Sequence, residues 1–189
     1  MKKGVGIFGK NKSGQVWVET VIYTLIALTI IGLFISFAKP KIEEIQDKAI
    51  IDQSIEMLED INSILLSIVQ GGVGNQRIIE VGIKKGTLEI DGINNRIVFE
   101  IDGKYTYTEP GPNGEPGDFI NIRNILASTQ KRGKINTVTL ISNYSNKYNI
   151  TYQGEEDKKL LGRTPVAHKI SISNKGEIGG KPIINFELK

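Results

Sequence analysis

Hydrophobic and polar positions follow three different rhythms along this chain, and each rhythm predicts a different element. From Thr20 to Ala38, nineteen consecutive residues carry no charge and most are Val, Ile, Leu or Phe. A helix needs about 20 such residues to cross the hydrocarbon core of a bilayer. Residues 39–70 change character: Ile42, Ile45, Ala49, Ile55, Leu58, Ile61 or Asn62, Leu65 and Ile68 recur at intervals of three or four, the spacing that lines one face of an α-helix. Glu43, Glu44, Asp47, Lys48, Asp52, Glu56, Glu59 and Asp60 occupy much of the remaining surface, and Gly71-Gly72 supplies a stop. The pattern predicts a stem whose apolar stripe packs on a following domain. If anchor and stem are one helix, residues 16–69 span roughly 80 Å at about 1.5 Å per residue, too long for a small globular domain. Pro40 is the one interruption. It removes a helical hydrogen bond at Ser36, bends the axis, and marks residues 32–40 as a stretch where the helix could open.

After Gly72 the period shortens to two. Residues 77–83, 86–90, 95–102, 104–109, 134–143, 147–153, 165–174 and 181–189 are short β-branched or aromatic runs separated by turn residues. Asp102-Gly103 predicts a two-residue hairpin between the third and fourth runs. The stretch 109–118, EPGPNGEPGD, is a loop, and 119–128 fits either a strand or a short helix. Pleat alternation puts Val138 and Leu140 on one face and Thr137, Thr139 and Ile141 on the other. Ile170, Ile172, Ile184 and Phe186 give the last two strands an apolar face, and the final strand, apolar as far as Leu188, belongs inside a sheet or against the stem. The expected fold is α+β: a long N-terminal hydrophobic helix over 15–70, then an antiparallel β-rich head over 73–189. About eight strands without repeated helices suggest a sandwich or a strongly curled sheet.

Charge sharpens the N-terminus. The formal balance is +3, but residues 1–14 hold Lys2, Lys3, Lys10 and Lys12 with no acid, so without them the chain stands at −1. The basic excess is therefore a property of a leader, and no basic face interleaved with aromatics follows it to suggest nucleic acid as a partner. Lysines before the apolar run hold that end in the cytoplasm and send the chain from Lys39 outward. The chain has no cysteine, so the head rests on its own core or on assembly with neighbours.

Three fates are open to the apolar segment. A secretory signal would be cut after Ser36-Phe37-Ala38, but Glu19 early in the hydrophobic region and the long basic region before it argue against this. A permanent single-pass anchor, carrying an extracellular binding domain, would place Glu19 at the cytoplasmic interface. The third fate is a cut before the apolar run that removes residues 1–14 and keeps the helix, with residues 16–38 as its membrane or filament-core part and 39–70 as its stem.

For that third fate the order of residues is informative: a basic leader, Gly14, Gln15, Glu19, then the apolar run. In this order the segment resembles the archaeal type IV pilin-like proteins, whose class III signal peptides are cut by a prepilin peptidase after a small residue. The resemblance implies cleavage between Gly14 and Gln15, which makes Glu19 the fifth residue of the mature chain, where that family carries its acid. It also implies assembly through Gln15 and Glu19 with copies of the same chain. The expected partners are these copies, the peptidase, the membrane and the pilus assembly machinery. The expected place is the cytoplasmic membrane for the precursor and a surface filament serving adhesion for the mature chain, with a secretion-type pseudopilin as an alternative. Glu19 can meet the new ammonium of Gln15 on a neighbour or, one helical turn away, on its own chain.

Little else points to chemistry. Gly4-Val5-Gly6-Ile7-Phe8-Gly9 satisfies a dinucleotide-binding pattern, but no strand precedes it and no nucleotide fold follows. His168 stands alone, alternating with Ile170 as a surface or locally satisfied strand residue. Glu155-Glu156-Asp157, followed by Lys158-Lys159, reads as a solvated turn. No enzyme activity and no cofactor or metal are expected. Asn143-Tyr144-Ser145 and Asn149-Ile150-Thr151 are N-glycosylation sequons in the part expected outside the cell, flanking a turn at 144–148 expected to be exposed.

Overall fold

A computed structural model describes residues 12–189, with side chains from Val16 onward. Most of the basic leader thus lies outside the described residues, and around the Gly14–Gln15 bond only helical backbone is described. The chain divides into two compact units, Met1–Ile42 and Glu43–Lys189. Helix α1 runs from Lys12 to Gln70 with Pro40 inside it, and ten strands follow, so the fold is α+β as expected.

In the second unit, β1 (Gln76–Val81), β9 (His168–Ile178), β10 (Lys181–Leu188) and β7 (Asn149–Tyr152) form a four-stranded sheet in that order. A six-stranded sheet has the order β4 (Ile120–Ile122), β5 (Ile125–Arg132), β6 (Ile135–Asn143), β3 (Arg96–Gly103), β2 (Thr87–Asp91) and β8 (Lys158–Leu161). Every pair is antiparallel except β7 with β10, which is parallel. The C-terminal strand β10 is internal, between β9 and β7, which accounts for its apolar run to Leu188.

Both sheets and the stem contribute to one core. Ile51, Ile55, Leu58, Ile61, Leu65 and Ile68 of α1 are buried in the same cluster as Phe99, Leu140, Ile172 and Phe186. Burying each such stem side chain stabilises the fold by about 1.5–3 kcal/mol. On β6 the expected alternation holds, with Val138 and Leu140 buried and Thr137, Thr139 and Ile141 half-buried.

The stripe is shorter than its rhythm implied. Ile45 is 68% exposed and Ile42 and Ala49 are exposed as well, while Ile51 and Ser54, which the three-and-four count passed over, are buried. Packing on the head begins at Asp47, a buried acid whose carboxylate accepts from the Lys104 backbone N–H at 2.6 Å and from Lys85 Nζ at 2.5 Å. Gly103 is required at this joint, because a Cβ there would collide with the Asp47 carboxylate.

The predicted Asp102-Gly103 hairpin does not form. Both residues lie within β3 and pair with Thr137 and Asn136 of β6. Residues 104–108 are pinned by side chains instead of a ladder: Asn136 Nδ2 donates to Lys104 O and Thr106 Oγ1, and Thr129 Oγ1 accepts from the N–H groups of Tyr107 and Thr108. The ambiguous stretch 119–128 is a hairpin, β4 to β5, turned by Arg123 and Asn124 at φ 51° and 77°. Strand β8 was not expected at all. The turn at 144–148 is not exposed at its aromatic residues: Tyr144 and Tyr148 are buried and stack at 5.8 Å between ring centroids, and burial pushes the Tyr144 hydroxyl up to about 12.

Candidate membrane and assembly helix

Among the described residues, α1 is the one helix long and apolar enough to cross a membrane, and the apolar stretch that qualifies it is not buried at all. Val16, Trp17, Tyr23, Leu28, Ile31, Phe34 and Phe37 all stand exposed, Phe37 at 77%. Water is a poor medium for such a surface, since a patch of this extent marks a site for lipid or protein.

The polar side chains of the run are arranged for an apolar medium. Thr20 Oγ1 donates to Val16 O at 2.9 Å, Thr24 to Thr20 O at 2.8 Å, Thr29 to Leu25 O at 2.8 Å and Ser36 to Gly32 O at 2.9 Å. Each hydroxyl spends its proton on the carbonyl one turn back, so none needs water. Ser36 and Gly32 bound the stretch where Pro40 removes a backbone donor. Glu19 lies one turn beyond Gln15 on this helix, and it has an interaction partner within the chain.

The two sequons sit at different kinds of position. Asn143, the last residue of β6, is exposed and its Oδ1 accepts from the Ser145 N–H at 3.0 Å. Asn149 opens β7, its Nδ2 donates to Ile178 O at 3.3 Å, and its sequon hydroxyl, Thr151 Oγ1, is buried against Asn185 Oδ1.

His168 Nε2 is within 2.8 Å of Gly162 O and 3.3 Å of Thr164 Oγ1, a local arrangement at the start of β9. Glu155, Glu156 and Asp157 are exposed and follow the turn at Gln153-Gly154, with Glu155 bridged to Tyr152, and no group of three or more His, Cys, Asp or Glu able to hold a metal ion occurs among the described residues.

Two features had no sequence signal. The first is Asp91, fully buried at the end of β2, which accepts from Asn94 N, Asn94 Nδ2, Arg96 Nε and Lys158 Nζ and so ties the β2–β3 turn to β8. Burial alone would raise its carboxyl, but these donors outweigh burial and hold it at about 2. The second is an open groove of about 400 Å³ between the stem and the segment from Ile79 to Lys85, with Ile50, Met57 and Ile64 along its helical wall.

Comparison of the chain with protein-family models, with curated proteins and with solved structures finds no match.

Proposed function

We propose that this chain is a structural subunit of a type IV pilus-like surface filament, synthesised with a basic leader and assembled through its N-terminal helix. The observation that carries the reading is the unburied apolar run of α1 with its internally satisfied hydroxyls, followed by a stem whose apolar side chains share one core with both sheets of the head. Lipid covers that surface before assembly, and identical helices cover it afterwards. The order Gly14, Gln15, Glu19 supports removal of residues 1–14 by a prepilin-type peptidase. Cleavage creates an ammonium on Gln15, and an incoming Glu19 carboxylate that pairs with a neighbour's ammonium favours the one axial offset that strands no charge. The head then forms the filament surface, with Asn143 as its glycan acceptor, and serves attachment rather than catalysis. Cryo-microscopy of filaments from cells producing the chain tests this. A fibre with a core of packed α1 helices and β heads outside supports the reading, whereas producing cells that bear no such fibre overturn it.

A further inference from the structure

The tip of the β5–β6 hairpin is basic and unmatched. Lys131, Arg132 and Lys134 are exposed around Gly133, and no acid occurs anywhere from Phe119 to Gly154. Lys104 joins them, its Nζ donating to Lys134 O at 3.0 Å. None of these four cations meets a carboxylate among the described residues, whereas Arg96, Arg123, Lys158, Lys169 and Lys189 each do. Ile135, next to the tip, is 47% exposed.

Contacts at both ends of β6 fix where the tip stands along the stem. Asn136 pairs with Gly103, which abuts Asp47, while Ser142 and Asn143 share a small cavity with Leu58, Glu59 and Asn62. Strand β6 therefore runs from the earlier turns of the stem toward the later ones. The tip precedes Asn136, so it stands at the end of the head that comes first along α1. Asp47 follows Ala38, where the apolar run ends, by nine residues, or roughly 14 Å of helix at about 1.5 Å per residue.

Resting on the membrane-held stage of the reading above, we propose that this tip docks on anionic lipid headgroups at the outer face of the membrane that α1 crosses. The headgroup layer reaches about 5–7 Å beyond the hydrocarbon, and lysine and arginine side chains bridge much of the remaining distance. Unmatched cations are drawn to lipid phosphates, and Ile135 offers an apolar side chain to the boundary below them. Tyr105, half-buried with Lys48 Nζ 5.9 Å from its ring centroid, is of the residue type that gathers at this interface. Glu43, Glu44 and Asp102 lie at the same end, but the four cations and Lys48 outnumber them, and Asp102 is engaged by Thr137 Oγ1 at 2.6 Å. The contact holds the head down while the subunit waits in lipid and is given up when the helix leaves for the filament.

The chain has no cysteine, so a single label reports a single place. Full chain with Ile135→Cys, carrying a nitrobenzoxadiazole dye, is reconstituted at high dilution into vesicles of phosphatidylcholine alone or mixed with phosphatidylglycerol. Both contain a trace of headgroup-spin-labelled lipid. The expected result is strong quenching in the anionic vesicles and little in the neutral ones, with a dye on Asn146→Cys, beyond the other end of β6, unquenched in both. Lys131→Gln, Arg132→Gln and Lys134→Gln should each lower the ratio of docked to free head by about five-fold. Raised salt should do the same to the parent, which guards against a folding defect in the variants. Equal quenching in the two vesicles, quenching that survives all three replacements together, or none in either overturns the docking and leaves the filament reading standing. Shielding that appears only when copies crowd one vesicle assigns the tip to the acidic stem of another copy and overturns the lipid assignment. A chain that floats with neither vesicle overturns both readings.

Discussion

Replacing Asp47 by Ala removes the acid that fixes the start of the stem to the head. Its carboxylate is 5% exposed and accepts two donors, the Lys104 N–H at 2.6 Å and Lys85 Nζ at 2.5 Å. The lysine is 42% exposed, so that ion pair is largely screened and worth about 0–1 kcal/mol. The backbone bond weighs more. A hydrogen bond to a charged acceptor contributes about 1.5–3 kcal/mol, and the variant leaves the Lys104 N–H facing an empty site beside Gly103. A loss of about 2 kcal/mol is expected, which lowers the melting temperature by roughly 4–8 °C for a unit of this size. Asp47→Asn keeps one acceptor oxygen and loses about half as much. The assay is thermal unfolding of the full chain in detergent, followed by tyrosine near-ultraviolet dichroism, with amide exchange at Lys104. The Ala variant exposes that amide to exchange while Leu65 and Ile68 remain protected. Unchanged melting, or a Lys104 amide as protected as in the parent, would refute the role given to Asp47.

Three further outcomes follow from the same geometry. Asp91 has a folded carboxyl at about 2 against an ordinary 3.8, so its contribution, about 2 kcal/mol, is fully present above the unfolded value and is lost as pH falls through the folded one. Acid titration of stability should therefore steepen between about pH 4 and pH 2, and Asp91→Asn should flatten that limb; an unchanged limb contradicts the assignment. Glu19→Ala should leave the melting of the head as in the parent and cut filament yield severely, and normal yield would remove the assembly role of the acid. Asn143→Gln should abolish the glycan mass on the mature chain while Asn149→Gln preserves it, because Asn143 is exposed, whereas Asn149 is half-buried and its sequon hydroxyl, Thr151 Oγ1, is buried against Asn185; a glycan lost with Asn149→Gln instead reverses that assignment.

The long helix and the shift to β structure were legible because each rests on a local rhythm, as with Val138 and Leu140 on β6. What escaped were features set by partners distant in sequence. Ile42 and Ile45 match the helical stripe as well as Leu58 does, but the cover supplied by the head begins only at Asp47, and periodicity says nothing about where a covering domain ends. Asp102-Gly103 has hairpin chemistry, yet β6 offers Thr137 and Asn136 as ladder partners, and Thr129 and Asn136 hold the following segment, 21 to 32 residues away in sequence. Strand β8 reads as a charge run, KKLL, and is a strand because β2 needs a partner and Lys158 reaches Glu89 and Asp91. Tyr144 and Tyr148 looked like the tip of a turn, but one is bonded back to Asn95 O through its N–H and both are buried by the strands around them. For the site, the exposed helix was readable from composition alone, whereas the groove exists only because Ile79 to Lys85 runs alongside the stem.

The mass and N-terminal sequence of the mature chain test the central claim most directly. A chain beginning at Gln15, with the apolar helix retained, is the predicted result. An intact Met1, or a protein that begins at Lys39 without the hydrophobic stretch, would contradict it.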